Sequence, residues 1–429
     1  MTGVLMKKLL LITMLGALAT AALTAEGGVE FSGNIETLWG AAAPWTDSDT
    51  SAGYFTLGTT TFTGTIDAYY DNSSALAEGS VTYDAVNNSL EYSVDELWLD
   101  YTESIWGLRI GRQKAAWGKA DGIDITNVLC PSDMSSLAAM ISDDSKLAVD
   151  AIRLSLNGNQ FTADAYWIPF FTPASLPIDE GNSLRKFVVP ETIEIPVAPG
   201  VNLAIPVTIG GIETPELSIW NGEYGLRVSG YLSAFDLSLY GFYGWDDTPI
   251  LNYGMTSEAI VVSGKYERMA MIGADAALPI GETVLRLETA FFPQRHLQKE
   301  EGGSLQKNQL SALAGIDWMP SGWTLTAQYY CDAVFGDLGE LERTDAYQHG
   351  ATLSVSKSLV NETLELSFSG LIGFNDFDSL LSPSVKYSLS DQISLGASAY
   401  IFLPGPDRDG KYGAYKDLSS LCLNAKFSF

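Results

Sequence analysis

Apolar and polar positions alternate with period two along most of this chain. At its end Leu421, Leu423, Ala425, Phe427 and Phe429 share one face of a strand, and Ser420, Cys422, Asn424, Lys426 and Ser428 share the other. Trp323, Leu325, Ala327 and Tyr329 alternate in the same way with Thr324, Thr326, Gln328 and Tyr330, as do Leu364, Leu366 and Phe368 with Thr363, Glu365 and Ser367. One face suits hydrocarbon and the other suits water. A soluble β-sandwich also alternates, but it seldom repeats segments of about ten residues so many times, as a transmembrane β-barrel requires.

Counted back from Phe429, the pattern predicts eighteen strands, near 29–40, 54–70, 76–86, 90–101, 106–113, 147–157, 160–169, 222–232, 234–245, 263–278, 282–293, 308–319, 322–334, 345–358, 362–374, 380–389, 392–403 and 417–429. Their connections alternate in length. Short ones centre on Asp391, Asn361, Pro320-Ser321, Pro279 to Gly281, Ser233-Ala234 and Gly158-Asn159, with further polar stretches after Tyr101 and Tyr70. Long ones run at 404–416, 335–344, 294–307, 246–262, 170–221, 114–146 and 41–53, with brief exceptions near Asn87-Asn88 and Asn375-Asp376. This is the signature of an antiparallel up-and-down barrel with its short turns at one end. An even count puts both termini at that periplasmic end, where the last strand closes on the first and no sheet edge is left in lipid. Merging or splitting one hairpin gives sixteen or twenty strands, sixteen being the next choice. Trp39, Trp45, Tyr69, Tyr70, Trp106, Trp167, Trp245, Trp318, Trp323 and Tyr400 fall near strand ends, where aromatic girdles form.

Residues 1–25 read as a secretory signal: Lys7-Lys8, an uncharged apolar run from Leu9 to Leu23, and a small-residue exit at Ala25. The run is shorter than the roughly 20 residues of a membrane anchor, and no later stretch is long and apolar enough to be one. The first cysteine is Cys130, so no residue near the signal can carry a lipid. Residues 26–429 are then the barrel. Charge narrows the partners further: 24 Lys+Arg against 52 Asp+Glu leave a net charge of −28, which excludes a nucleic-acid binder with a basic surface. Three Cys and two His are too few for a zinc or iron–sulfur site, so no metal or cofactor is expected. Cys130, Cys331 and Cys422 are expected as free thiols.

The inward face carries charges of both signs. Arg109, Arg153, Arg227 and Arg286 form a candidate basic ladder, set beside Glu96, Asp100, Asp164, Asp236, Asp275 and Glu288. Such a lumen is hydrated, because Arg or Lys facing lipid at mid-depth costs about 2–4 kcal/mol. These groups either select solutes or pair with one another and brace the wall.

The segment Leu108 to Asp133 is the most distinctive. It contains Arg109-Ile110-Gly111-Arg112-Gln113, then Trp117-Gly118-Lys119-Ala120-Asp121-Gly122, then Pro131-Ser132-Asp133, and it follows Leu97-Trp98-Leu99-Asp100-Tyr101. This order resembles a family of bacterial porin-like outer-membrane barrels known mainly as a domain of unknown function, with Cys130 where that family usually has Asn. A second match is Tyr266-Glu267-Arg268, Gly273-x-Asp275 and Leu285-Arg286-x-Glu288-x-Ala290. The resemblance implies a barrel and transport and names no substrate. The C-terminal Phe429 likewise resembles the signal read by the barrel assembly machinery.

Loop 114–146 either folds inward to narrow a pore, placing Arg112, Lys114, Lys119, Asp121 and Asp124 at the constriction, or braces the wall and caps the rim. Ser132 or Asp133 is placed to cap a short helix within it. Seven prolines across 170–221 exclude a helix and favour an extended hairpin above the barrel. Loop 404–416 and the pair Asp246-Asp247 read as solvated.

Three functions compete. The first is passive diffusion of small hydrophilic solutes through an outer-membrane channel, alone or as a homo-oligomer. The second is a surface adhesin or receptor using 170–221, with no open pore. The third, a membrane-embedded hydrolase, is disfavoured because His296 and His349 have no partner suggested by spacing. A plugged importer is disfavoured because the first strand follows the signal too closely, and a fatty-acid channel lacks an evident N-terminal hatch.

Overall fold

A computed structural model describes residues 27–45, 51–142, 144–179, 182–198 and 201–429; the predicted signal lies outside them. The chain runs through β1 (Gly28–Ala42), β2 (Phe55–Tyr70), β3 (Ser73–Asp84), β4 (Ser89–Thr102), β5 (Trp106–Gln113), β6 (Val149–Asn157) and β7 (Phe161–Ile168). It leaves the barrel for β8 (Thr192–Ala198) and β9 (Val201–Glu213), and returns with β10 (Glu223–Tyr231) and β11 (Asp236–Trp245). A second excursion makes β12 (Ile250–Met255) and β13 (Ile260–Lys265). The remainder is β14 (Arg268–Ile280), β15 (Thr283–Gln298), β16 (Ser304–Trp318), β17 (Trp323–Val334), β18 (Tyr347–Leu359), β19 (Leu364–Gly373), β20 (Asp378–Ser388), β21 (Ile393–Leu403) and β22 (Ser420–Ser428).

Among the described residues, eighteen of these strands form one antiparallel sheet. β10 pairs with β7, and β11 with β14, across the two excursions. β22 pairs with β1 from Asn34↔Ser428 to Ala42↔Ser420, which closes the barrel. The seam is finished by Phe429, whose amide and carbonyl each bond Gly33 at 3.0 Å and whose ring stacks on Phe62. Tight turns at one end use left-handed positions at Asp71, Gly281 and Ser321-Gly322, where short or absent side chains cost least.

Ile272, Leu287 and Leu423 project outward and are each more than half exposed, as are Phe31 and Leu239. An apolar outer face on a closed sheet suits lipid, since the strands pair their backbones around the wall and closure leaves no free edge. Trp39, Trp318 and Trp323 belong to that face. Tyr400 does not: opposite Ser420, it points inward and packs with Phe402 and Leu418.

At the long-loop end, β12, β13, β9 and β8 make a separate four-stranded sheet in that order. The β8–β9 hairpin lies where an extended hairpin was predicted. β12 and the first half of β13 fall in 246–262, which reads as a loop in sequence, and the second half of β13 takes the start of the strand expected at 263–278; β13 runs parallel to β9, with Ile260 beside Val207. Val189, Val207, Ile260 and Val262 form the core of this sheet. Its second hairpin is stabilised by pairing with a segment some fifty residues earlier, which local alternation does not register.

Candidate functional site

The lumen has two unlike halves, and loop 114–146 makes the difference. This loop enters the barrel: its first part docks on β6, β7, β10, β11 and β14 to β17, and its short helix at Leu137 packs on Leu57 of β2 and Cys422 of β22 at the long-loop end. Trp117 leads it in, meeting Tyr166 edge-on and Tyr240 at 5.0 Å between ring centroids, among Ile125, Leu129, Met271 and Phe292. Gly118 has φ +86 and lies against the Glu288 carboxylate, so a side chain here meets both backbone strain and a collision.

Glu288 is the anchor. Its Oε2 accepts from the amides of Lys119 (2.6 Å) and Ala120 (2.8 Å), and its Oε1 accepts from the amide (2.8 Å) and hydroxyl (2.7 Å) of Thr126. Arg286 donates to the Lys119 carbonyl at 2.6 Å. Gln328 and Asp121 exchange a side-chain-to-backbone pair at 3.0 and 2.7 Å. The Tyr240 hydroxyl accepts from the Gly118 amide at 3.2 Å and donates to Asp275. The two motif segments therefore meet: Arg286, Glu288 and the fully buried Ala290 hold Trp117 to Thr126, and Gly273 leaves room for Thr126.

Each arginine of the candidate ladder lies inward and has a carboxylate partner. Asp100 sits between Arg109 (2.8 Å) and Arg153 (3.3 Å), and Arg109 also stacks over Trp98. Arg227 lies 3.8 Å from Asp164, and Arg286 pairs with Asp317. Asp236 faces inward at the short-turn end of β11, opposite Ala277 and away from these pairs. In the loop, Lys119 approaches Asp275 (3.9 Å), Asp124 pairs with Lys146 (2.6 Å) and Lys114 with Asp144 (2.6 Å). Glu96 accepts from the Lys114 amide at 2.7 Å. Asp121 engages through its backbone, and its side chain is exposed.

Arg112 is not at the constriction. It lies on β5, two residues from the outward Ile110, and meets Asp150 at 3.6 Å on the outer face. Period two sends alternate residues to opposite sides, and Gly111 does not interrupt the register. The short helix also differs from its predicted position: it spans Leu137–Met140 and is capped by Ser136, whose Oγ accepts from the Ala139 amide. Cys130 is buried and its Sγ accepts from the Ala115 amide at 3.2 Å; burial pushes its thiol pKa up.

The opposite half, from β18 through β22 to β3, is lined with hydroxyls. Ser356 faces Ser367, Ser367 faces Ser384, and Ser384 faces Ser398 across successive strands. Thr61 and Thr63 continue the wall opposite Thr82 and Ser80. Hydroxyl pairs join strands, as Ser367 to Ser384 at 2.5 Å and Thr61 to Thr82 at 2.9 Å.

Two further groups sit near the long-loop mouth. The 404–416 segment folds inward instead of standing in solvent: Tyr412 is buried, its amide bonds Asp378 at 2.5 Å, and its hydroxyl meets that of Tyr330. Lys411 beside it holds its ammonium 5.5 Å over the Tyr412 ring, and desolvation there lowers its pKa against the pull of Asp378, Asp332 and Asp124. Asp246 is buried and pairs with Arg295 at 2.7 Å; burial, then the charge of Asp246, pushes the Asp247 carboxyl up. Neither carboxylate is a solvated loop residue. Arg295 escapes a period-two reading because the β15–β16 register shifts between Phe292 and Arg295. Tyr240 and Gln328 escape a search that selects charged residues.

Residues 9–410 match DUF1302, a family described as protein of unknown function. The chain belongs to this family. No curated protein sequence matches it. Among solved structures, Acinetobacter baumannii OccAB3 is similar with a TM-score of 0.51 at 10% identity, over 94% of this chain and 99% of that one. Pseudomonas aeruginosa OccK8 (OprE) is similar with a TM-score of 0.51 at 10% identity, over 94% and 98%. At such identity the likeness is one of fold: this DUF1302 chain is a closed eighteen-stranded barrel of the same kind.

Proposed function

We propose that this protein is an outer-membrane channel for passive diffusion of small hydrophilic solutes. Its short turns and both termini face the periplasm, and loop 114–146 is its constriction. The carrying observation is the asymmetry of the lumen: a loop bound to one wall by Glu288, Arg286 and Gln328 stands opposite a polar wall whose side chains remain reachable by water. An eighteen-stranded barrel is wide enough to hold an aqueous channel beside such a loop. The ion pairs of the occupied wall serve to hold the constriction in shape. The signal at residues 1–25 and recognition of Phe429 by the assembly machinery belong to the same proposal.

A surface-binding role is the second reading, favoured by the separate sheet of β8, β9, β12 and β13 above the rim. Reconstitution of the refolded protein, without residues 1–25, in a planar bilayer separates the two. Steady single-channel openings are expected; a folded, heat-modifiable barrel that never conducts overturns the channel and leaves the surface role.

A further inference from the structure

We propose that the open wall, and not the arginine ladder, sets ion selectivity, and that the pore passes cations in preference to anions. This deepens the channel reading and rests on it.

The arginines are spent on structure. Arg109, Arg153, Arg227 and Arg286 each have a carboxylate partner, and their side chains are only 16–27% exposed. Arg227 and Arg286 also donate to the Ala116 and Lys119 carbonyls of the inserted loop. Arg227–Asp164 and Arg286–Asp317 are matched pairs, each a dipole whose field falls off faster than that of a lone charge, while Arg109 and Arg153 share Asp100 and leave that cluster a single positive charge. The loop also covers this wall with its own backbone, keeping ions at a distance from the guanidinium groups.

The open wall carries the opposite imbalance. Glu30, Asp67, Glu78 and Glu91 face inward by the register of β1 to β4 and have no basic partner among the described residues. Glu30, Asp67 and Glu91 are exposed to the lumen, and Glu78 is held upright by the Thr65 hydroxyl at 2.9 Å. The inward lysines of this wall are matched: Lys426 approaches Glu36 at 3.4 Å, and Lys386 stands opposite Glu365.

The unpaired acids are also spread along the path. Glu91 is near the long-loop end of β4, Glu78 is midway along β3, and Glu30 and Asp67 lie toward the short-turn end. Screening at physiological salt acts over about 8 Å, so spaced carboxylates keep a crossing ion within reach of negative charge, as acidic rings do in cation channels. Serine and threonine oxygens between them offer a cation partial replacement for its water and give an anion fewer donors than the covered arginines would.

The test is the reversal potential of the refolded protein without residues 1–25, in a planar bilayer across a potassium chloride gradient. The sign of cation preference is expected. The triple variant Asp67→Asn, Glu78→Gln and Glu91→Gln, checked for folding by heat-modifiable mobility, is expected to shift the potential toward zero, while Arg112→Gln on the outer face leaves it unchanged. Anion preference in the parent protein overturns the proposal, as does a triple variant that conducts with unaltered preference. If the triple variant does not fold, the sign in the parent protein still decides. Absence of any openings overturns the channel reading itself, and the selectivity with it.

Discussion

The two halves of the lumen solve one problem differently. Both walls turn polar groups into a water-filled space, yet one satisfies them with a buried loop and the other leaves them to solvent. On the occupied side Glu288 binds four donors and Trp117 fills the gap between Tyr166 and Tyr240. On the open side, serines and threonines bond across strands, and the apolar packing of Leu137 and Leu184 on Leu57 and Cys422 is confined to the long-loop end. The contrast shows that inward charge in a barrel need not face water: the densest charges here hold the inserted loop, and the sparse ones on β1 to β4 stand without a basic partner among the described residues.

The sharpest way to break this contrast is Trp117→Ala. Emptying an aromatic site in a packed cluster costs about 3–5 kcal/mol; a rise in single-channel conductance and new protease cutting within 114–146 are expected. Unchanged conductance would show that the loop does not limit the pore. Glu288→Gln comes next, because the amide must turn two donor hydrogens toward groups that are themselves donors; roughly 2–3 kcal/mol of docking is lost. Noisy, larger openings are the readout, and a quiet channel of parental size would count against the anchor.

Tyr240→Phe removes one hydroxyl between Gly118 and Asp275, a loss of roughly 1–2 kcal/mol seen as a lower unfolding temperature with little change in conductance. Acidity probes the rim of the same half. The Asp247 carboxyl has its pKa raised above 3.8 in the folded protein, so the native state holds its proton more firmly than the unfolded chain. The stability this contributes is fully present below 3.8 and is lost as pH rises through the folded value. Asp247→Asn should flatten the unfolding temperature in that window; an unaltered slope would remove Asp247 from the account. The smallest effect is expected on the open wall, where Ser356→Ala should alter stability by no more than about 0.5 kcal/mol and leave the loop docked.

Much of the barrel was legible because a two-sided solvent boundary writes itself into every strand. β22 was predicted near 417–429 and spans Ser420–Ser428, and β5 was predicted at 106–113 and spans Trp106–Gln113. The signal weakens wherever pairing is non-local or the alternation slips. Alternation gives no sign of β12 and runs the end of β13 into β14, because β13 gains its partner from β9, and it does not single out Arg295, whose register shifts at the preceding residues. Arg112 was misplaced at the opposite kind of position, where the alternation holds and sends it outward.

For the site, sequence marked the two segments that meet, Trp117 to Gly122 and Arg286 to Ala290, as patterns of residues. It did not say that they touch. Alternation along one strand determined which side chains enter the lumen, since the backbone of an extended chain imposes that period by itself. Which of them face water and which face another segment was decided only in the closed barrel. There, a loop more than 160 residues away in the chain satisfies Glu288 on one wall, while it touches the other only at the long-loop end. Local periodicity carries the first kind of information, and the second depends on contacts that exist only after the ends of the sheet have met.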